Sequence, residues 1–224
     1  QLSNKLRLLY EQTAEKFDDV CLKSIDVCVL YAIANIHTHI QGLFRDNWLD
    51  GTASQPMVVA IEREFDSFDQ YIVLDAHFTR VVNFFMIAFI LCYCRQFATV
   101  RPKLDDGGVL LSQLQLDKTC MIRLFSAYKD QLGTATIAAE MNKLDILYDL
   151  LTTDAEFLSL YFGKLSESFP NYSKEILEGV LYLRNDLSKS TKKDILLDLT
   201  SNADTLNFLQ DAEVGERQKQ VNRV

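Results

Sequence analysis

LSNKLRLLYEQTAEKFDDVCLKSIDVCVLYAIANIHTHIQGLF, residues 2–44, decides the fold class. Leu2, Leu6, Leu9, Thr13, Phe17, Val20, Ser24, Val27, Tyr31 and Ala34 recur at steps of three and four, the period of one helix face. One long helix to about Phe44 is predicted. Within it, Val27 to Ile36 is apolar nearly all round, so neighbours are expected on several sides. Asn47 and Asp50-Gly51 signal the end, and a short loop leads to Pro56. Proline suits a first helical turn, where its missing N–H would be unpaired anyway.

Outward from this helix the same period continues. Met57, Ile61, Phe65, Phe68 and Ile72 share one face, with Glu62, Glu64, Asp66 and Asp69 mainly on the rest. Asp75 is the expected N-cap of a third helix ending near Val100, before Pro102. That helix holds Val81 to Cys94, apolar except for Asn83. The apolar run spans about 21 Å at 1.5 Å per residue, short of the roughly 30 Å hydrocarbon core, so it reads as a buried central helix.

Asp105-Asp106-Gly107-Gly108 is the clearest linker. It divides the chain into a first bundle, 1–104, a second, 105–214, and a frayed tail, 215–224. A helix from about Leu110 to Leu132 is expected to stop at Gly133, with Thr134 capping the next, whose face is Ile137, Met141, Leu144, Tyr148 and Leu151. Asp154 caps a short helix with Phe157, Tyr161 and Leu165, and Pro170 follows in a loop. Ser173 caps one with Ile176, Val180 and Leu183; Ser188 caps a last one with Leu196 and Leu199. Such short connections make neighbouring helices antiparallel. The fold expected is all-α, an up-and-down arrangement of bundles without a regular repeat signature.

Composition agrees. Eight Gly and three Pro in 224 residues lie below the usual shares of about 7% and 5%, which works against sheets with frequent turns. Lys and Arg number 23 against 31 Asp and Glu, a net charge of −8 that opposes binding to a phosphate backbone. Nucleic acid is therefore not an expected partner. Five Cys, mostly inside apolar runs, read as reduced thiols in a cytosolic compartment, and the chain opening at Gln1 reads as a fragment without a signal peptide.

Catalytic chemistry finds little material. His37 and His39 lie about 200° apart around a helix and do not chelate one metal, and His77 stands alone. Cys92-Tyr93-Cys94 lacks the C-x-x-C spacing of redox and zinc sites. Gly107-Gly108 lacks the residues that complete a phosphate loop, and the acids from Glu62 to Asp69 read as a solvated face. No enzyme activity, metal or cofactor is expected. The weak surface candidates are Arg184 with Lys189, Lys192 and Lys193, a cationic group suited to acidic headgroups or an acidic helix, and the tail cations Arg217, Lys219 and Arg223; the competing reading is solvated helix ends, with Arg184 and Asp186 as a local helix-end contact.

Trp48-Leu49, Val58-Val59-Ala60-Ile61-Glu62, Phe65-Asp66-Ser67-Phe68 and His77-Phe78-Thr79-Arg80-Val81-Val82 resemble the C-terminal part of the exocyst Sec-six subunit family, also called exocyst complex component three. Leu144 to Leu151, Asp154 to Leu160, Phe169-Pro170 and Gly179 to Ser188 resemble that family's last helices. The similarity covers about residues 45–200 through diffuse helical patterns. Asn185 stands where the family commonly has Gly, and Asn also tolerates a left-handed turn. The related tumour-necrosis-factor-induced proteins carry a similar ending.

The resemblance implies a rod-like stack of antiparallel helical bundles in a non-catalytic subunit of an octameric tether that holds secretory vesicles at the plasma membrane before SNARE-mediated fusion. The implied partners are other exocyst subunits and plasma-membrane t-SNAREs, with small GTPases as further candidates and membrane association peripheral at most. Localisation would be cytoplasmic, with recruitment to sites of secretion. The alternative class is a helical regulator or effector of a small GTPase.

Overall fold

The structure, a computed structural model, describes residues 2–45, 48–102 and 107–199. It is all-α, and no strand occurs among the described residues. The order is α1 (Leu2–Asn35), α2 (His37–Gly42), α3 (Ser54–Tyr71), α4 (Asp75–Val100), α5 (Gly107–Ser126), α6 (Lys129–Leu132), α7 (Thr134–Thr152), a 3₁₀ turn (Ala155–Phe157), α8 (Leu158–Ser168) and α9 (Ser173–Leu183). A further helical stretch, α10, covers 189–199. Asn47, Asp105, Asp106 and the tail with Arg217, Lys219 and Arg223 lie outside the described residues.

By contacts the chain forms two compact units, Gln1–Tyr93 with Ser112–Met141 and Cys94–Leu111 with Asn142–Val224. This partition follows packing, whereas the proposed division into 1–104 and 105–214 follows chain order. The first unit is built on aromatic side chains. Phe65 meets Phe85 and Tyr128 edge-on, each at 4.9 Å between centroids, and Phe44 meets Trp48 at 4.7 Å and Tyr93 at 4.8 Å. Such edge-to-face pairs add about 0.5–1.5 kcal/mol each beyond the area they bury.

The second unit has an aliphatic core that includes Leu147, Leu150, Leu158, Leu165, Ile176 and Val180. At Gly179 the helix α9 lies directly against the backbone of α4. A Cβ there would stand 2.3 Å from the Ala98 Cα, so only glycine permits this approach.

Several expectations need correction. The first helix does not run unbroken to Phe44. The Ile36 carbonyl accepts from both His39 N and Ile40 N, which starts α2, and Phe44 ends the segment at φ 64°. Nor is Val27 to Ile36 covered on several sides, because Val27, Leu30 and Tyr31 are exposed and burial is confined to positions such as Val29, Ala32 and Ile36. Similarly, the helix expected over 110–132 begins at Gly107, within the supposed linker, and breaks at Ala127-Tyr128. There, i−3 bonds from Ala127 N to the Leu124 carbonyl and Tyr128 N to the Phe125 carbonyl tighten the chain.

Three expected caps sit one residue too far along. Asp75, Thr134 and Ser173 are already the first helical residues, while the carbonyls of Leu74, Gly133 and Tyr172 accept the first intrahelical bonds. Ser188 is an N-cap as expected, since its Oγ accepts from Thr191 N at 3.1 Å. Helix α8 buries Leu158, Phe162 and Leu165, followed by Phe169, rather than the 157/161/165 face; Phe157 is exposed.

Helix α4, 26 residues from Asp75 to Val100, ends where expected, and by length and composition alone it could cross a membrane. It serves as a core helix instead. Val81, Val82, Phe85, Met86, Phe89 and Ile90 are all fully buried within the first unit.

Candidate interaction surfaces

The most concentrated chemistry in the first unit is interior. Asp117 of α5 is 1% exposed and accepts hydrogen bonds from neutral donors on separate parts of the chain. Trp48 Nε1 donates at 2.7 Å, Tyr93 Oη at 2.6 Å and Gln113 Nε2 at 2.9 Å, and Ser54 Oγ donates to the other carboxylate oxygen alongside Gln113. All of these donors are themselves buried. A carboxylate removed from water is tolerated where its lone pairs are filled in this way. The centre ties the turn after α2, the start of α3, and helices α4 and α5 together. Nothing in the sequence advertised it, because the donors are dispersed between positions 48 and 113.

Arg184 plays the corresponding part in the second unit. Its Nη1 donates to the Leu150 carbonyl at 2.9 Å, and Nε and Nη2 form a two-pronged pair with the Asp186 carboxylate at 2.7 and 2.6 Å. The hydrogen bond from Arg184 holds the Asp186 carboxyl below its ordinary pKa. With 5% exposure, Arg184 stands in the interior as the helix-end contact with Asp186 and not as a member of a surface cation group. Lys192 is half-buried, donating Nζ to the Tyr182 carbonyl at 3.1 Å, whereas Lys189 and Lys193 are exposed. The structure thus separates the four candidate cations into one interior tie, one half-buried contact at the surface and two exposed charges.

Other candidates fall in place as follows. His37 and His39 are exposed on α2, and His77 is half-buried on α4. Among the described residues no three His, Cys, Asp or Glu side chains converge as a metal site would require. Glu62, Asp66 and Asp69 are exposed, while Glu64 accepts from Asn35 Nδ2 at 3.0 and 3.1 Å, joining α3 to α1. Burial raises the Tyr128 pKa, and the charges of Asp66, Glu62 and Asp69 add to the shift. Burial also raises that of Asp149, with Asp145 adding and Lys164 opposing.

What is left for contact with other molecules is helix surface. Among the described residues, α1 carries a long row of exposed apolar side chains: Leu6, Leu9, Tyr10, Phe17 and Val20 are each at least 60% exposed.

These features define an all-α bundle protein whose buried polar groups fasten helices to one another. Comparison places it more closely: the family described as "Exocyst complex component Sec6" matches residues 3–189, and the chain belongs to that Sec6 family. The exocyst complex component sec6 of Schizosaccharomyces pombe is 25% identical over 199 residues, covering 85% of this chain and 25% of that protein. The crystal structure of the C-terminal domain of the exocyst subunit Sec6p matches with a TM-score of 0.75 at 16% identity, over 91% of this chain and 51% of that one. This second likeness establishes the shared fold. The chain spans about a quarter of the length of its yeast relative and about half of the structural one.

Proposed function

We propose that this chain is a non-catalytic part of the Sec-six subunit, component three, of an exocyst-type vesicle tether, and that it acts by binding. The carrying observation is the family match across residues 3–189, which takes in helices of both compact units. Its contacts are with other exocyst subunits and with plasma-membrane t-SNAREs, in the cytoplasm and at membrane sites of secretion. Long helices suit that role physically, because each presents an extended edge to partner helices. The exposed Lys189 and Lys193 are a candidate contact for an acidic partner surface.

The test is co-purification of the tagged chain from cytosol and from detergent-solubilised plasma membrane. Recovery of exocyst subunits or a t-SNARE without added nucleotide is the expected result. Recovery of a small GTPase alone, in one nucleotide state, would contradict it and favour a GTPase regulator or effector.

A further inference from the structure

Helix α1 carries two separate apolar faces. One holds Ile25, Val29 and Ala32, with Ile36 just past its end, all 5% exposed or less, and packs into the first unit. The other is a heptad seam on a different side. Tyr10, Phe17, Ser24 and Tyr31 repeat every seven residues, and Leu6, Thr13, Val20 and Val27 repeat every seven between them. Every one of these side chains is exposed, Tyr10 to 75% and Phe17 to 67%. Of the four hydroxyls in the seam, the two aliphatic ones are already satisfied within the helix, Thr13 Oγ1 donating to the Leu9 carbonyl at 2.7 Å and Ser24 Oγ to the Val20 carbonyl at 2.8 Å. They therefore present carbon to a partner without a desolvated donor.

Charge decides what can lie on the seam. The edge beside Leu6, Thr13, Val20 and Val27 carries Leu9, Lys16, Lys23 and Leu30, and the edge beside Tyr10, Phe17, Ser24 and Tyr31 carries Arg7, Ala14, Cys21 and Cys28. The acids lie outside the seam itself: Glu11 pairs with Arg7 at 3.4 Å, Asp19 and Asp26 border the lysine edge on its outer side, Asp18 borders Ala14 and Cys21, and Glu15 lies on the far face. A second copy is poorly matched. Parallel pairing would set Lys16 and Lys23 against Cys21 and Cys28, and antiparallel pairing would set the lysines against one another. On the second edge Ala14, Cys21 and Cys28 are small enough for a helix to approach closely, and acids on a partner helix would complement Lys16 and Lys23.

We infer that this seam docks an amphipathic helix of another protein subunit, bearing Asp or Glu along the edge that meets Lys16 and Lys23. From Leu6 to Tyr31 the seam runs about 38 Å, so the partner helix has at least about 25 residues. The inference rests on the scaffold reading and assigns a surface within it.

The probe is a synthetic 28-residue helical peptide with Leu at its seam positions and Glu at both edges, compared with one carrying Lys at the edges, each titrated into the full chain. The acidic peptide is expected to bind at least tenfold more tightly. K16E/K23E reverses the preference, and F17D removes binding of both while leaving the circular dichroism melting curve unchanged. Absence of binding, or equal binding of the two peptides, overturns the inference. In the assembled complex, a benzophenone amino acid at position 17 should crosslink to an acidic-edged helix of a different subunit. A crosslink to a second copy, or to another stretch of the same polypeptide, overturns it. Should F17D co-purify undiminished with exocyst subunits, the docking surface is wrong while the scaffold reading stands.

Discussion

Trp48 donates its indole N–H to the Asp117 carboxylate at 2.7 Å, across 69 residues of sequence. Because Ser54, Tyr93 and Gln113 converge on the same carboxylate, Asp117→Ala strands several buried donors at once. The expected loss is about 3–5 kcal/mol in urea unfolding of the full chain. Asp117→Asn, which keeps shape and one acceptor oxygen, should lose less. A loss below about 1 kcal/mol for Asp117→Ala would show that the donors find other acceptors.

Gly179 and Gly163 make opposite predictions for the same substitution. A Cβ at Gly179 meets Ala98 at 2.3–2.5 Å, so Gly179→Ala should lower stability by about 2–3 kcal/mol through overpacking. At Gly163, inside α8, a Cβ meets nothing within 4 Å, and alanine should stabilise by about 0.5–1 kcal/mol. Thermal melting of the two variants checks both signs.

Two aspartates of the second unit should respond to pH in opposite senses. The Asp186 carboxyl is held below its ordinary value of 3.8 by Arg184, so its stabilising contribution is present above that value and is lost as pH falls through the lowered folded pKa. Asp149 is raised above 3.8 by burial. Its ionised form opposes folding at neutral pH, and the penalty disappears in acid. Asp186→Asn should therefore lower Tm at pH 7, Asp149→Asn should raise it, and both differences should shrink towards pH 3.

At the start of α10, Ser188 Oγ accepts the Thr191 N–H. Ser188→Ala should cost about 1 kcal/mol and Ser188→Asp little, because the aspartate can accept the same bond. Hydrogen exchange of the amides in 189–199 is the readout; equal protection in wild type and Ser188→Ala would remove the capping role.

The helices were legible where apolar spacing is strong, as in α3, whose Met57, Ile61, Phe65 and Phe68 are all buried. Helix starts were less so, since Asp75 and Thr134 have capping chemistry yet sit just inside their helices. In α8 both possible faces are apolar, and neighbouring helices, not the local period, select Leu158 and Phe162 over Phe157 and Tyr161. The Asp117 centre was invisible because it is assembled from residues far apart in sequence. The contact of Arg184 with Asp186 is legible from their spacing of two, but its burial is not, because the further acceptor, the Leu150 carbonyl, lies 34 residues away.

The central claim is that this member of the Sec6 family works by binding. Its most direct test is whether the purified chain joins purified exocyst subunits on size-exclusion chromatography in EDTA with no nucleotide. The account predicts a co-eluting complex that forms equally well with and without GTP. Elution of the chain apart from every exocyst subunit would contradict it.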